Sequence, residues 1–467
     1  MNKHSFRIFT AAFFIFSAFF NTVLAQSEPQ LFSLEQAIDY GLKHSISIEK
    51  SALDIANAEA QVKEYQAIGI PKLNAKIDYT NNVIRPTSFL PDFISPAVVG
   101  ILEGFRLVPG GSAAQIPTGG VTPVQFGVNN NLTASITAST LVFDGSYLVG
   151  LKAAKGLREL VKRQANLTDF QVRYSIMKAY ALVLVAEENK NVLSKNIENL
   201  KKLFTETKAF KEAGFVEQLD VDRLELSVSN LQSEQEIVQR QVDLAYNALK
   251  FMMGYDVLKP IALSNKLDDL LIIPTDAELN GNVPHDSRIE MEVLKRTEYL
   301  NELNVKRLQM GYYPNVTAFA SFQEQLQRNN LFDKNATGFT KAAFVGATIN
   351  IPIFDGFDKR SKIQRARIDQ RRYQLEIENF KLAMNLEVTN SRAIYRNALQ
   401  RLDNQNKNLV LAEKILVRTK IKYKEGVGSS IEITTAEQEL YRTQANKMNA
   451  LYELVAAKID LDKALGK

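Results

Sequence analysis

Four stretches of the chain alternate apolar and polar residues, the pattern of β-strands with one apolar and one polar face. They lie at about 73–84, 128–142, 316–327 and 343–354. Each is long enough for a tilted strand to cross a bilayer, which takes ~10 residues. In that arrangement the apolar face meets lipid, and the small hydroxyl and amide side chains opposite meet water. A half-exposed sheet in a soluble domain would alternate in the same way.

The number of these strands limits what the chain can form on its own. Four strands cannot close a barrel, because about eight is the practical minimum. An open sheet edge in hydrocarbon would leave backbone N–H and C=O groups without partners, at a cost of several kcal/mol each. If the sheet crosses a membrane, several copies must therefore share one barrel. Three copies would give twelve strands, but the strand count alone does not fix the number of copies.

The strands belong to an internal two-fold repeat. Phe143-Asp144-Gly145 closes the first strand pair, and Phe354-Asp355-Gly356 closes the second. Each copy has a short helix, a strand pair, a long helix, a Gly turn and a medium helix. We therefore predict a first repeat at 26–254, an equatorial linker at 255–286 and a second repeat at 287–467.

The long helices, predicted at 147–211 and 358–424, would each approach 100 Å at ~1.5 Å per residue. The medium helix at 219–253 shows how such helices are stabilised. Its apolar positions alternate spacings of three and four, which is a heptad seam that packs against a neighbouring helix. The seam positions are Val221, Leu224, Val228, Leu231, Gln235, Val238, Val242, Ala245, Leu249 and Met252.

Composition excludes several kinds of chemistry. The 467 residues contain no Cys and only three His, which leaves no thiolate metal site, no Cys nucleophile and no lipid anchor on an N-terminal Cys. The sequence has no phosphate-binding GxxxxGK[ST] motif and no GxSxG or HExxH motif. Lys and Arg are interleaved with Asp and Glu along the helices, so no basic stripe for nucleic acid is expected. We therefore predict neither an enzyme nor a cofactor.

Residues 1–25 read as a secretory signal peptide. A basic start is followed by the apolar run 8–20 and by Val23-Leu24-Ala25, which fits the small-residue cleavage rule. The apolar run is too short for the ~20 residues of a membrane-spanning helix. After cleavage the chain is expected to be either soluble or a β-barrel membrane protein.

With the repeat in place, the turn sequences resemble those of the TolC-like outer membrane efflux proteins, and the resemblance covers nearly all of the mature chain. Members commonly show a Gly followed six residues later by Asp-Val. Here Gly214 is followed by Asp220-Val221, and Gly426 by Glu432-Ile433. The Phe-Asp-Gly that closes each strand pair is part of the same similarity.

This resemblance implies an α+β membrane protein that forms a homotrimer. Four strands from each copy would complete a twelve-stranded barrel in the cell outer membrane, and the helices would form a coiled-coil tunnel in the periplasm. Such proteins are passive exit ducts of tripartite efflux systems. A periplasmic adaptor (membrane fusion protein) links them to an inner-membrane RND or ABC transporter, and outer membrane lipid surrounds the barrel.

The resemblance also implies roles for individual residues. Those placed at the periplasmic mouth, where the adaptor docks and the duct opens, are Gly214, Asp220, Tyr423, Gly426 and Glu432. A purely structural role is open for Asp220 and Glu432, since both fall in the first turn of a helix, where the dipole favours a carboxylate. Some members carry a basic residue two positions after the second Gly. That position is Gly428 here, so the closed mouth would depend on other contacts.

Three alternatives remain open at this stage. The exit duct of a type I protein secretion system shares the fold, and only neighbouring genes for an RND or an ABC transporter would separate the two. A periplasmic coiled-coil adaptor or scaffold should carry one helical hairpin between two β halves, whereas this chain has two hairpins. A secreted coiled-coil interaction protein would be soluble without detergent.

Overall fold

The computed structural model describes residues 29–91, 94–112, 121–271, 273–332 and 338–467. The predicted signal peptide lies outside these residues. By its internal contacts the chain divides into two compact units. The first unit comprises Met1–Ala60, Lys155–Glu302 and Ile368–Lys467, and the second comprises Gln61–Ala154 and Leu303–Arg367.

Helices account for most of the described residues. In chain order they are α1 (Leu34–His44), α2 (Ile46–Ile68), α3 (Ile94–Gly104), α4 (Gly145–Glu212), α5 (Gln218–Met253), α6 (Asp276–Asn280), α7 (Ile289–Met310), α8 (Asp358–Lys424) and α9 (Ser430–Ala464). The strands are β1 (Gln30–Phe32), β2 (Lys72–Asn81), β3 (Thr87–Pro91), β4 (Val121–Gln125), β5 (Asn130–Phe143), β6 (Ile261–Leu263), β7 (Asn315–Arg328) and β8 (Thr340–Asn350). Short 3₁₀ turns lie at Leu267–Leu270 and His285–Ser287.

The second unit is built on an antiparallel sheet in the order β2-β5-β7-β8. Residues directly opposite each other in neighbouring strands point to the same face. The register therefore places the four predicted apolar faces on one side of the sheet, which also carries the Glu324–Lys341 ion pair beside Ala134. The apolar residues on this side are Leu73, Ala75, Ile77 and Tyr79 of β2; Leu132, Ala134, Ile136 and Ala138 of β5; Val316, Ala318, Ala320 and Phe322 of β7; and Ala343, Val345, Ala347 and Ile349 of β8. We call this side the apolar face of the sheet.

The strand ends differ from the predicted ones. β8 ends at Asn350, before the predicted end at 354, because Pro352 has no backbone N–H to donate to a ladder. β2 ends at Asn81 rather than at 84. The segment between the first two predicted strands contains elements of its own, since β3 and β4 pair in antiparallel fashion and α3 begins at Ile94.

The heptad seam of α5 is buried as predicted, with one shift. Val221, Leu224 and Leu249 are among its buried residues. At the end of the helix, however, Met253 is buried and Met252 is partly exposed, because the spacing there is four residues rather than three. α4 and α8 have 68 and 67 residues, and α5 and α9 have 36 and 35, so equivalent helices match in length. The two-fold repeat itself stays a prediction.

The largest core of the first unit gathers side chains from α1, α4, α5 and α9. It is covered by β1 and β6, which pair in parallel and were not predicted from the sequence. Three residues are too few to show an alternating pattern, so these strands have no sequence signal. Within the described residues, none of the helices combines the length and the apolar character that crossing a membrane requires.

A fully buried tyrosine joins this core to β1. The hydroxyl of Tyr180 lies 3.0 Å from the carbonyl oxygen of Phe32 and 3.1 Å from Oδ1 of Asn265. We expect Tyr180→Phe to lower the free energy of unfolding by about 1–3 kcal/mol, because buried acceptors lose their donor. The measurement is denaturant unfolding in detergent, followed by circular dichroism. Tyr255→Phe is the control, since it removes only a 3.3 Å exposed hydrogen bond to Gln30, and an equal loss in both variants would contradict the prediction.

Candidate functional site

Two tight turns of the first unit carry the residues predicted at the mouth. Gly214 joins α4 to α5 with φ of +80°, and Gly426 joins α8 to α9 with φ of +75°. In each turn the Gly N–H donates to the carbonyl three residues earlier, and the next N–H donates to the carbonyl five residues before it. This is the Schellman pattern, which needs a left-handed residue and therefore favours Gly.

The two turns are linked by Asp220 and Ser430. The Ser430 hydroxyl donates to the Asp220 carboxylate, which connects the first turn of α5 to the first turn of α9. Ser430 is 1% exposed, so water competes little for this bond. Asp220 does not act as the N-cap of α5, because that position is Glu217. Its carboxylate nevertheless lies where the helix dipole stabilises negative charge.

Tyr423 forms a second link between the two helix pairs. Its hydroxyl donates to Oγ1 of Thr207 on α4 at 3.3 Å, and both side chains are buried. Burial raises the pKa of the Tyr423 hydroxyl, and the nearby charge of Asp220 adds to the rise. The hydroxyl therefore stays protonated at neutral pH and remains a donor.

Glu432 makes a contact of a different kind. It accepts from Nζ of Lys422 at 2.7 Å, and both side chains are about half exposed. This pair joins α8 to α9 within one hairpin, and an exposed ion pair contributes only about 0–1 kcal/mol. The helix pairs α4–α5 and α8–α9 each form a hairpin. Asp220 and Tyr423 thus make contacts between the two hairpins, whereas Glu432 makes a contact within the second.

The partners of these residues were not predicted from the sequence. Thr207 lies seven residues before Gly214, and Ser430 lies four residues after Gly426. Neither position belongs to a recognisable motif. Thr207 could have been noticed only as a buried polar residue within the long helix α4. Ser430 could have been noticed only as a Ser at the start of a helix.

The first strand–helix junction is closed by a helix cap. Oδ1 of Asp144 accepts the N–H of Tyr147 at 2.9 Å, which satisfies one of the free donors at the start of α4. Gly145 is the first residue of α4, and a Cβ added there would lie 3.0 Å from Cβ of Met310. Close packing against α7 is therefore the reason for Gly at this position.

The second junction uses the same three residue types differently. Gly356 and Phe357 both have left-handed backbones, with φ of +65° and +68°. Oδ2 of Asp355 accepts the N–H of Lys359 at 3.0 Å, and this bond lowers the pKa of Asp355. Here Gly is required by its backbone conformation, and the non-Gly residue after it carries strain of about 1–3 kcal/mol.

The apolar face of the sheet is open to its surroundings. Leu73, Ile77 and Val345 are 73%, 76% and 84% exposed. The opposite face is mostly small and polar, and there Thr137 and Ser321 share a hydrogen bond of 2.9 Å between β5 and β7. β2 and β8 lie at the two edges, and neither pairs with a further strand among the described residues.

Metal chemistry was not predicted from the sequence. Across the part of the chain that the structure describes, no group of three or more His, Cys, Asp or Glu side chains could hold a metal ion.

The left-handed turn at Gly214 gives a local test of the mouth geometry. We expect Gly214→Ala to strain the turn by about 1–2 kcal/mol, and Gly214→Asn to strain it less, because Asn tolerates this backbone region. A Cβ at this position meets nothing within 4 Å, so backbone strain is the only cause. The rate of trypsin cleavage near Lys211 measures the fraying of the turn. If Ala and Asn gave the same rate, backbone strain would not be the cause.

One family model and several known proteins are similar to this chain. Residues 302–467 match the family model described as outer membrane efflux protein. The probable outer membrane lipoprotein SilC of Salmonella typhimurium is 22% identical over 236 residues, which are 50% of this chain and 50% of SilC. The chain therefore matches about half the length of this curated relative.

Two solved structures share the fold over almost the whole chain. CusC, which forms a transmembrane channel, has a TM-score of 0.71 at 15% identity and covers 93% of this chain and 92% of its own. The outer membrane protein VceC of Vibrio cholerae has a TM-score of 0.69 at 17% identity and covers 93% and 96%. The resemblance to the TolC-like outer membrane efflux proteins is therefore confirmed.

Proposed function

We propose that the chain forms the outer membrane exit duct of a tripartite efflux system. Three copies share a twelve-stranded barrel, and their helices form a tunnel in the periplasm. A periplasmic adaptor docks on the helices and links the duct to an inner-membrane RND or ABC transporter. That transporter supplies the energy, and the duct contributes a passive path whose width and polarity limit what can pass.

The observation that carries this proposal is the sheet with its exposed apolar face and two open edges. A lipid environment accounts for the apolar face, because exposed aliphatic side chains then meet hydrocarbon instead of water. The edges of β2 and β8 must then be satisfied by other copies, because hydrocarbon offers no hydrogen-bond partners. β2 and β8 run in opposite directions, so β8 of one copy can pair with β2 of the next as a regular antiparallel ladder.

The opposite face of the sheet suits the inside of a wide pore. Lys76 and Asp78 are its charged pair on β2, 2.8 Å apart, and hydroxyl and amide side chains make up most of the rest. Twelve strands leave a hydrated interior, where such groups stay solvated. The near balance of charge favours a path that does not select its cargo strongly by charge.

The first test is location and assembly. We expect the full-length protein, expressed in a Gram-negative host, to enter the outer membrane fraction and to cross-link as a trimer in mild detergent. A soluble monomer in the periplasmic fraction would overturn the proposal. A membrane-bound oligomer of another size would keep the channel but change the number of strands in the barrel.

The second test concerns the closed mouth. We propose that the duct opens when the α4–α5 and α8–α9 hairpins move apart, and the Asp220–Ser430 and Tyr423–Thr207 hydrogen bonds oppose this movement. The double variant Tyr423→Phe/Ser430→Ala removes both donors. We expect it to raise single-channel conductance in planar bilayers several-fold, because the two bonds together contribute about 1–3 kcal/mol.

Lys422→Gln is the matched control for this test. It removes a contact of similar length that lies within the α8–α9 hairpin, so the conductance should stay at the wild-type level. If the double variant and the control behaved alike, the two links would have no part in closing the mouth.

A further inference from the structure

The charges of α8 are not interleaved at its beginning, contrary to the expectation from the sequence. Five of the nine residues at 359–367 are Lys or Arg, and none is acidic. We call these nine residues the basic segment. Two of its cations have acidic partners, since Lys359 lies 3.4 Å from Asp355 and Lys362 lies 2.6 Å from Asp358.

The other three cations of the basic segment are arginines with no acidic partner. Arg360, Arg365 and Arg367 are exposed and form no ion pair with any described residue. Arg360 and Arg367 are seven residues apart and share one face of the helix, and Arg365 lies on another. The buried residues Ile363 and Ala366 hold a third side of the helix against the protein. Arg360 and Arg367 lie beside this buried side and Arg365 lies across the helix from it, and all three side chains are exposed.

Nothing within the helix accounts for this concentration of positive charge. The start of a helix carries a partial positive charge, so cations in its first turns are disfavoured there. Like charges one turn apart also repel each other. An anionic partner outside the described residues would offset both costs.

The position of the segment indicates what that partner is. Directly before it, Phe354 and Phe357 are 75% and 59% exposed and contact each other edge to face at 5.5 Å between ring centroids. Ile351 and Ile353 are exposed as well and follow β8. At the surface of a bilayer, proteins commonly have aliphatic and aromatic side chains next to a group of Lys and Arg residues. Residues 351–367 show this pattern.

We propose that the basic segment binds the phosphate groups of anionic phospholipids, in the leaflet that surrounds the β8 end of the sheet. This inference rests on the proposed membrane placement of the sheet. The headgroup region is ~5–7 Å thick on each side of the hydrocarbon, and the nine residues rise ~12 Å along the helix. Arg side chains are long enough to reach back towards the headgroups.

Charge selects this ligand over a zwitterionic lipid. Zwitterionic phospholipids also carry a phosphate, but their ammonium group cancels its charge. Each cation close to an anionic surface strengthens binding by about fivefold. Three arginines that form no ion pair with the described residues should therefore give a clear preference for lipids with net negative charge.

The test measures the lipids that the detergent-solubilised assembly retains. The full-length protein is incubated with equal amounts of phosphatidylglycerol and phosphatidylcholine, and bound lipids are counted by native mass spectrometry. We expect the wild type to retain phosphatidylglycerol preferentially. The triple variant Arg360→Gln/Arg365→Gln/Arg367→Gln should lose about fivefold of this preference for each charge removed.

Two further variants separate the site from general effects of charge and folding. Replacing the same three arginines by Lys keeps the charge and should keep the preference. Lys381→Gln/Lys414→Gln/Arg418→Gln removes the same charge from exposed positions further along α8 and should leave the preference unchanged. Cross-linking and circular dichroism check that each variant assembles.

The outcomes distinguish the inference from the proposal on which it rests. Equal retention of both lipids by the wild type, or an equal loss in the two Gln triple variants, would overturn the lipid site and leave the channel standing. A wild type that retains neither lipid would contradict the membrane placement of the sheet, and the site with it.

Discussion

The backbone of the two edge strands sets the main constraint on this protein. β2 and β8 each present a row of N–H and C=O groups that nothing within the described residues satisfies. In water such an edge is a hazard, and in hydrocarbon it costs several kcal/mol for each group. Side-chain changes cannot remove this cost, because it belongs to the backbone. The need for several copies in the proposed duct follows from the edges, since closure leaves no strand unpaired, and the number three comes from the resemblance.

The same ladder explains why the two faces of the sheet could be predicted from the sequence. A shift of one residue would turn every side chain to the wrong face, so the alternating pattern excludes any register that is out by one residue. The pairs Ile136–Phe322 and Ala320–Val345 lie opposite each other as the pattern requires. The Gly turns were equally predictable, because their left-handed backbone restricts the residue type.

Other features could not be predicted from a pattern in the sequence. β1 and β6 are three residues each, which is too short for any period to appear. The Thr207 and Ser430 contacts join residues more than 200 positions apart, and nothing local specifies them. The shift from Met252 to Met253 reflects a helix that follows its neighbour rather than an ideal heptad. Each of these depends on tertiary packing, which a pattern in one segment does not encode.

The exposure of the apolar face also has a consequence for the life of the protein before assembly. Before the proposed assembly, a single chain would have Leu73, Ile77 and Val345 exposed beside strand edges that pair with no described strand, and such features drive aggregation. The amount of assembled protein would therefore depend on whether assembly is faster than proteolysis and aggregation. Mutations at the subunit contacts would then act mainly on abundance. Cells with such mutations would contain fewer of the proposed ducts, and the ducts that did assemble would not leak.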